Sequence, residues 1–303
     1  MYGNSVQLRR ILAGLLVCGA VTLSSCVRAG SNGETAAEGD VMSADTLAGE
    51  PADSLEGTRR VHAHLVLEAG ALAPGNLVDL AVIFEIEPGW HLYWRNPGDS
   101  GLPPTIDLTL PAGITAGQPR WPAPHRELDA DIILDYVFED RLVVLIPLNV
   151  ADTTPLGDAR IDADLSWLVC QEVCVPGERT VSATFPVTRD PVRPFIALGD
   201  QEAIMEAVDR MPTDQAPPGF EHTWKGDLLT LRVPGADGLT FYPYESDAYV
   251  YPTDAIEHGE VSTDHMELTY PASVRVLDEV AGVLEVRHAG SATFHEVRIP
   301  VDE

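Results

Sequence analysis

Two alternating apolar–polar stretches, Ile161–Val169 and Thr180–Val187, flank a segment in which Cys170 and Cys174 stand four residues apart. In an extended strand four residues span about 13 Å, whereas a disulfide needs its Cα atoms within about 7 Å. If the cysteines pair, Gln171-Glu172-Val173 must turn. A helical turn would also bring them together. Strand patterns flank the pair, however, and Pro176-Gly177 follows at once, so a pair closing a tight bend between two strands is the expectation.

The size of that ring bears on its role. Closing five residues removes about 2 kcal/mol of unfolded-state entropy, against nearly 5 kcal/mol for a 100-residue loop. A bond serving stability alone would more usefully join distant strands; a short ring at a bend is easier to reduce, and such bonds are more often redox-active. A structural disulfide stays open on spacing alone. A metal centre at the cysteines is the weaker reading, because two thiolates without a nearby Cys/His set fall short of the usual four ligands. His62, His64, His91 and His125 have no spacing that points to ligation. Neither a nucleophile elbow nor a phosphate loop occurs, and no cofactor is expected.

The rest of the 303-residue chain reads as short strands and turns. Val61–Glu68, Leu77–Glu87, Thr105–Leu110, Ile132–Phe138 and Leu142–Val150 alternate, with Val78, Leu80, Val82, Phe84 and Ile86 on one face of the second. Turns such as Pro111-Ala-Gly113 and Glu139-Asp140 separate several of them, in a chain with 24 prolines and 25 glycines. Seven or so strands at this spacing predict an antiparallel β-sandwich of immunoglobulin type over residues 59–190. Between the strands, Trp90, Tyr93 and Trp94 run into the Pro/Gly-rich stretch 95–104, which fits either a core strand with a long turn or a site wall.

Beyond the linker Asp190-Pro-Val-Arg-Pro194, residues Asp200–Met211 carry helical spacing, with Asp200 as cap and Pro212 as stop. Leu228–Val233, Leu239–Tyr242, Glu257–Ser262, Met266–Tyr270, Gly282–Arg287 and Thr293–Val301 alternate as strands over 191–303. The expected fold class is all-β: an immunoglobulin-like antiparallel β-sandwich followed by a second, smaller β-rich domain with one linking helix. His258, His265, His288 and His295 are scattered there and form no catalytic constellation.

At the other end, Arg9-Arg10 precede an apolar run from Ile11 to Leu23, the pattern of a secretory signal and too short for a membrane span. Leu23-Ser24-Ser25-Cys26 resembles the bacterial lipobox, which makes Cys26 the lipidation site and 1–26 a lipoprotein signal peptide. Cys18 is then removed, and Cys170 and Cys174 are the only thiols left. Val27 stands where some inner-membrane lipoproteins carry Asp, so an outer-membrane anchor is compatible. Residues 27–58 are rich in Gly, Ala, Ser, Glu and Asp and read as a flexible tether. A net charge of −28 argues against nucleic acid and against electrostatic docking on anionic lipid.

Trp90, Tyr93-Trp94-Arg95-Asn96-Pro97-Gly98-Asp99-Ser100-Gly101, then Trp121-Pro122, then Ser166–Gly177 with both cysteines, resemble in order the amino-terminal domain family of the DsbD thiol:disulfide interchange proteins. The resemblance implies an immunoglobulin-like sandwich in the extracytoplasmic space, taking electrons from a membrane-embedded thiol reductase and passing them to periplasmic thioredoxin-like or disulfide-bonded proteins. It implies Cys170 and Cys174 as the redox pair, with Cys174 attacking. Tyr93, Trp94, Asp99, Trp167 and Glu172 are the residues that would shape the site, and Pro124–Tyr136 matches the loop that caps the cysteines in the family. Best-studied members place five residues between the cysteines; here there are three. No multi-span reductase and no thioredoxin-like domain is recognisable, so both neighbours in a relay are expected to be other proteins. The second reading is a non-enzymatic binding or scaffold lipoprotein with a structural disulfide.

Overall fold

The computed structural model describes residues 52–190, 196–245, 250–271, 273–274 and 277–301. The expected signal peptide, the lipidation site Cys26 and the tether up to residue 51 lie outside the described residues. The end of the expected tether is not extended chain: α1 (Ala52–Arg60) is helical. Gly57 explains its docking, since it lies so close to the sandwich that a Cβ would stand 2.2 Å from the Pro176 carbonyl oxygen. The Gly57 carbonyl accepts from Trp167 Nε1 at 3.2 Å.

Alternation becomes strand where one face can be buried. In order come β1 (Val61–Leu67), β2 (Leu77–Ile86), β3 (His91–Gly98), β4 (Thr105–Thr109), β5 (Ile114–Ala116), β6 (His125–Asp129), β7 (Ile133–Glu139), β8 (Arg141–Val150), β9 (Gly157–Cys170) and β10 (Cys174–Val187). They form two antiparallel sheets, ordered β1-β2-β8-β5 and β10-β9-β3-β7-β6, with β4 alongside β9. Leu80, Val82, Phe84 and Ile86 of β2 meet Trp167, Val169, Leu92 and Trp94 of the facing sheet in one core. The opposite face of β2 is covered as well. Ala81 and Ile83 pack with Ala203, Ile204 and Ala207 of α2 (Leu198–Asp209).

Asp200 does not cap α2. The cap position is Ala197, without a side-chain hydrogen bond, and the Asp200 carboxylate is turned toward His64. After α2 follow β11 (Glu221–Lys225), β12 (Leu228–Arg232), β13 (Gly238–Pro243), α3 (Pro252–His258), β14 (Glu260–Val261), β15 (His265–Thr269), β16 (Glu279–His288) and β17 (Ser291–Pro300). These build sheets β11-β12-β15 and β14-β13-β16-β17 around a second core containing Leu229, Phe241, Met266 and Leu284. The run Glu257–Ser262, expected as a strand, is split between α3 and the two-residue β14. Pro252 starts the helix, and Asp254 in its first turn accepts from the Thr269 amide at 2.8 Å.

The two β regions share buried surface. Tyr242, Val283 and Phe294 belong to the first core, Asn96 Nδ2 donates to the Pro243 carbonyl at 2.8 Å, and Arg126 Nη2 donates to the Ala255 carbonyl at 2.6 Å. Burial holds the phenols of Tyr136, Tyr242 and Tyr270 above their ordinary value, and that of Tyr244 is pushed up to about 12. An unfolded tyrosine loses its proton near pH 10, so below that pH both states are protonated and nothing is lost. Above it the unfolded state binds fewer protons, and stability falls as pH rises. Each of Tyr136, Tyr242 and Tyr270 is expected to remove about 1.4 kcal/mol per pH unit above pH 10. Denaturant midpoints at pH 9, 10 and 11, which should be flat and then fall, check this.

Candidate functional site: a cysteine pair at a hairpin end

β9 and β10 form one long antiparallel hairpin whose pairing runs from Gly157↔Val187 to Cys170↔Cys174. The cysteines are therefore direct cross-strand partners at its last rung, with Gln171-Glu172-Val173 as the bend and the Gln171 amide donating to the Val173 carbonyl. Their Cα atoms are 4.1 Å apart and the sulfurs are bonded. Spacing alone left a helical turn open; the hairpin closes that question.

The two sulfurs are unequal. Cys170 is 2% exposed and packs with Tyr93 and Val137, whereas Cys174 is exposed. A partner's sulfur can reach only Cys174. Beside it Val173, at the tip of the bend, is an exposed apolar side chain, as is Leu102 in the loop after β3.

Tyr93 lies beneath the pair. His91 pairs with both Cys170 and Glu139, and Tyr93 pairs with Val137. The site thus occupies the outward face of the second sheet, away from the core. The Tyr93 hydroxyl is 3.8 Å from Cys174 Sγ and 3.2 Å from His91 Nε2. Burial pushes its phenol up, so the hydroxyl keeps its proton at neutral pH. The far nitrogen of His91, Nδ1, is 3.1 Å from Glu127 Oε2. That oxygen is buried and makes no hydrogen bond among the described residues. A disulfide sulfur, a phenol, an imidazole and a carboxylate stand in a row.

What folds over Tyr93 is the loop Gly98–Gly101 rather than Pro124–Tyr136. At Gly101 (φ +73°) a Cβ would stand 2.2 Å from the Tyr93 ring. Asp99 secures this loop by accepting from the Leu134 amide at 2.9 Å. Asp135 accepts from the Ser100 amide at 2.8 Å and from its hydroxyl at 2.5 Å. Pro124–Tyr136 supplies β6 and the start of β7 instead, and with them Glu127 and Asp135.

Of the expected shaping residues, Tyr93 touches Cys174, Asp99 holds the covering loop, and Glu172 stands exposed at the bend. Trp94, one position from Tyr93, points to the core and meets Tyr136 and Tyr242 at 6.1 and 6.3 Å. Trp167 is also inward, edge-on to Phe84 at 6.0 Å, and fastens α1. Arg179 pairs with Leu165, five residues along β10 from Cys174. That is about 16 Å, too far to lower the thiol directly. His91, Glu127, Ser100 and Asp135 were not foreseen as a set. The signal available was parity: His91 and Tyr93 share a face two residues apart.

Residues 63–186 match the family described as thiol:disulfide interchange protein DsbD, N-terminal. Among solved structures, the N-terminal periplasmic domain of ScsB from Proteus mirabilis aligns with TM-score 0.53 and 17% identity, over 80% of this chain and 93% of that one. It shares the fold across both β regions. A type I cohesin from Pseudobacteroides cellulosolvens aligns over 44% of this chain and 97% of that one with TM-score 0.25 and 11% identity. No curated protein sequence matches.

Proposed function

We propose, from the match of residues 63–186 to the DsbD amino-terminal family, that this chain is a thiol–disulfide exchange protein that relays electron pairs through Cys170 and Cys174. The observation that carries the reading is the asymmetry of the pair: one sulfur exposed, its partner buried 4.1 Å away between Cα atoms.

In the dithiol state the Cys174 proton passes toward Tyr93, whose own hydroxyl proton moves to His91 Nε2. Glu127 Oε2 lies 3.1 Å from the other nitrogen of that ring. The Cys174 thiolate attacks one sulfur of an oxidised partner; the partner's S–S bond breaks and a mixed disulfide forms. Cys170, as thiolate, then attacks Cys174 Sγ and expels the partner's second thiolate, which takes up a proton. Two electrons have left the chain, and the Cys170–Cys174 bond remains. A membrane-embedded dithiol reductase reverses the sequence by attacking Cys174. The acceptors in this reading are periplasmic thioredoxin-like or disulfide-bonded proteins. Export on Arg9-Arg10 and Ile11–Leu23, lipid attachment at Cys26, and two domains meeting near residue 190 belong to the same reading and rest on the sequence patterns. No helix among the described residues is long and apolar enough to cross a membrane.

The test is a redox titration of the chain with Cys18 and Cys26 replaced by serine, following thiol labelling of Cys170 and Cys174. A midpoint between about −180 and −270 mV is expected for an exchange catalyst. One below about −300 mV would mark a structural bond and turn attention to a scaffold role. In the same chain His91→Phe is expected to slow alkylation of reduced Cys174 at neutral pH by roughly tenfold. Tyr93→Phe should act in the same direction. Unchanged rates in both would remove the relay and leave the cysteine chemistry intact.

A further inference from the structure

Away from the cysteines, on the α2 side of the first sheet, His62 and His64 stand two residues apart on β1 and project from one face. His62 pairs directly with Glu85 of β2. One ligand atom from each of His62, His64 and Glu85 lies within 4.8 Å of the others. The imidazole centroids are 5.5 Å apart, and His62 Nδ1 is 3.4 Å from Glu85 Oε2.

His64 decides the matter. Its Nε2 is 3.0 Å from Asp200 Oδ1 on α2. An ionised carboxylate only accepts, so Nε2 carries a hydrogen, and in the neutral imidazole Nδ1 keeps its lone pair. That Nδ1 is shielded from water and has no hydrogen-bond partner among the described residues. A buried acceptor left without a partner costs free energy, and an ion is one of the things that satisfies it. An imidazole held through one nitrogen by a carboxylate, with the other nitrogen bare, is what outer-shell carboxylates do for metal-bound histidines.

We propose that His62, His64 and Glu85 bind a divalent transition-metal ion of the zinc class, with Asp200 as the positioning residue for His64. Two imidazoles and a carboxylate are a donor set suited to Zn²⁺, and three protein ligands leave one position for water or another ligand. Bonds of about 2.0–2.2 Å put the ligand atoms of a tetrahedral site about 3.3 Å apart. The present spread of up to 4.8 Å closes by rotation of His62 and Glu85, whose side chains are 63% and 50% exposed. The chain's net charge of −28 enriches cations around it. Occupied, the site would fasten the β1–β2 pair and, through Asp200, orient α2 against it.

The experiment uses the full chain with Cys18, Cys26, Cys170 and Cys174 replaced by serine, so that no thiolate competes. Zn²⁺ is titrated by calorimetry, and Co²⁺ is added for its visible absorption. One equivalent should bind, with a dissociation constant on the order of micromolar and a tetrahedral or five-coordinate cobalt spectrum. His64→Ala and Glu85→Gln should each weaken binding by about tenfold or more. Asp200→Asn, which touches no metal, should weaken it by about 10-fold to 100-fold. His62→Ala, at an exposed position, serves where His64→Ala fails to fold, and His258→Ala should change nothing. Binding no tighter than about 1 mM, or unaffected by His62→Ala and His64→Ala, overturns the site. An Asp200→Asn chain that binds like its parent overturns the positioning role.

Discussion

Cys174→Ser is expected to abolish reduction of oxidised partners while the chain still folds. Its sulfur is the exposed member of the pair and the one a partner can reach, and Cys170, at 2% exposure and packed with Tyr93 and Val137, cannot take over. Losing a five-residue ring costs about 2 kcal/mol, a fall of roughly 4–8 °C in Tm for a chain of this size. The companion variant separates attack from resolution. Cys170→Ser leaves Cys174 able to capture a partner but leaves nothing to release it, so a mixed disulfide should accumulate on non-reducing electrophoresis. Cys174→Ser should accumulate none. Partner reduction persisting in Cys174→Ser would end the exchange reading, whatever the redox midpoint.

Trp94→Ala should be the most damaging single change for stability. The indole is 1% exposed and stands among Tyr136, Tyr242 and Tyr244, with centroid separations of 6.1, 6.3 and 5.7 Å. Two of those rings come from the second β region, so the cavity opens where the two regions meet. Truncating a buried tryptophan costs about 3–5 kcal/mol, or roughly 10 °C in Tm at this size. The Trp94 Nε1 has no hydrogen-bond partner among the described residues, so the loss is one of packing, and Trp94→Phe should recover a good part of it. The redox midpoint of Cys170–Cys174 should be unmoved, because Trp94 and Tyr93 point to opposite faces of β3. Thermal melts with a parallel redox titration check both halves, and a midpoint shift in Trp94→Ala would place Trp94 at the site after all.

Much of this was legible in the order of residues. Period-two alternation located most of the strands, because a strand with one buried face must alternate. Chain geometry required a turn if the cysteines pair, since four residues in extension are too long for an S–S bond, and the flanking strand patterns favoured a hairpin over a helical turn. β3 was harder to read: its aromatics face both ways, Tyr93 to the site and Trp94 to the core, so apolar character fails to separate the faces. The stretch around His258 lost its strand reading to Pro252 and the first-turn Asp254 of α3. Helical spacing found α2, yet Asp200 looked like a cap because cap chemistry and cross-element pairing use the same carboxylate.

The sequence by itself determined the all-β class and that Gln171-Glu172-Val173 must turn if Cys170 and Cys174 pair. These depend on neighbours within a few residues. Only the tertiary structure decided which sulfur faces water, which loop lies over Tyr93, and that Glu127 and Asp200 reach His91 and His64. Those contacts join residues 36 and 136 positions apart, and no local pattern encodes a separation that sheet order and helix docking alone close.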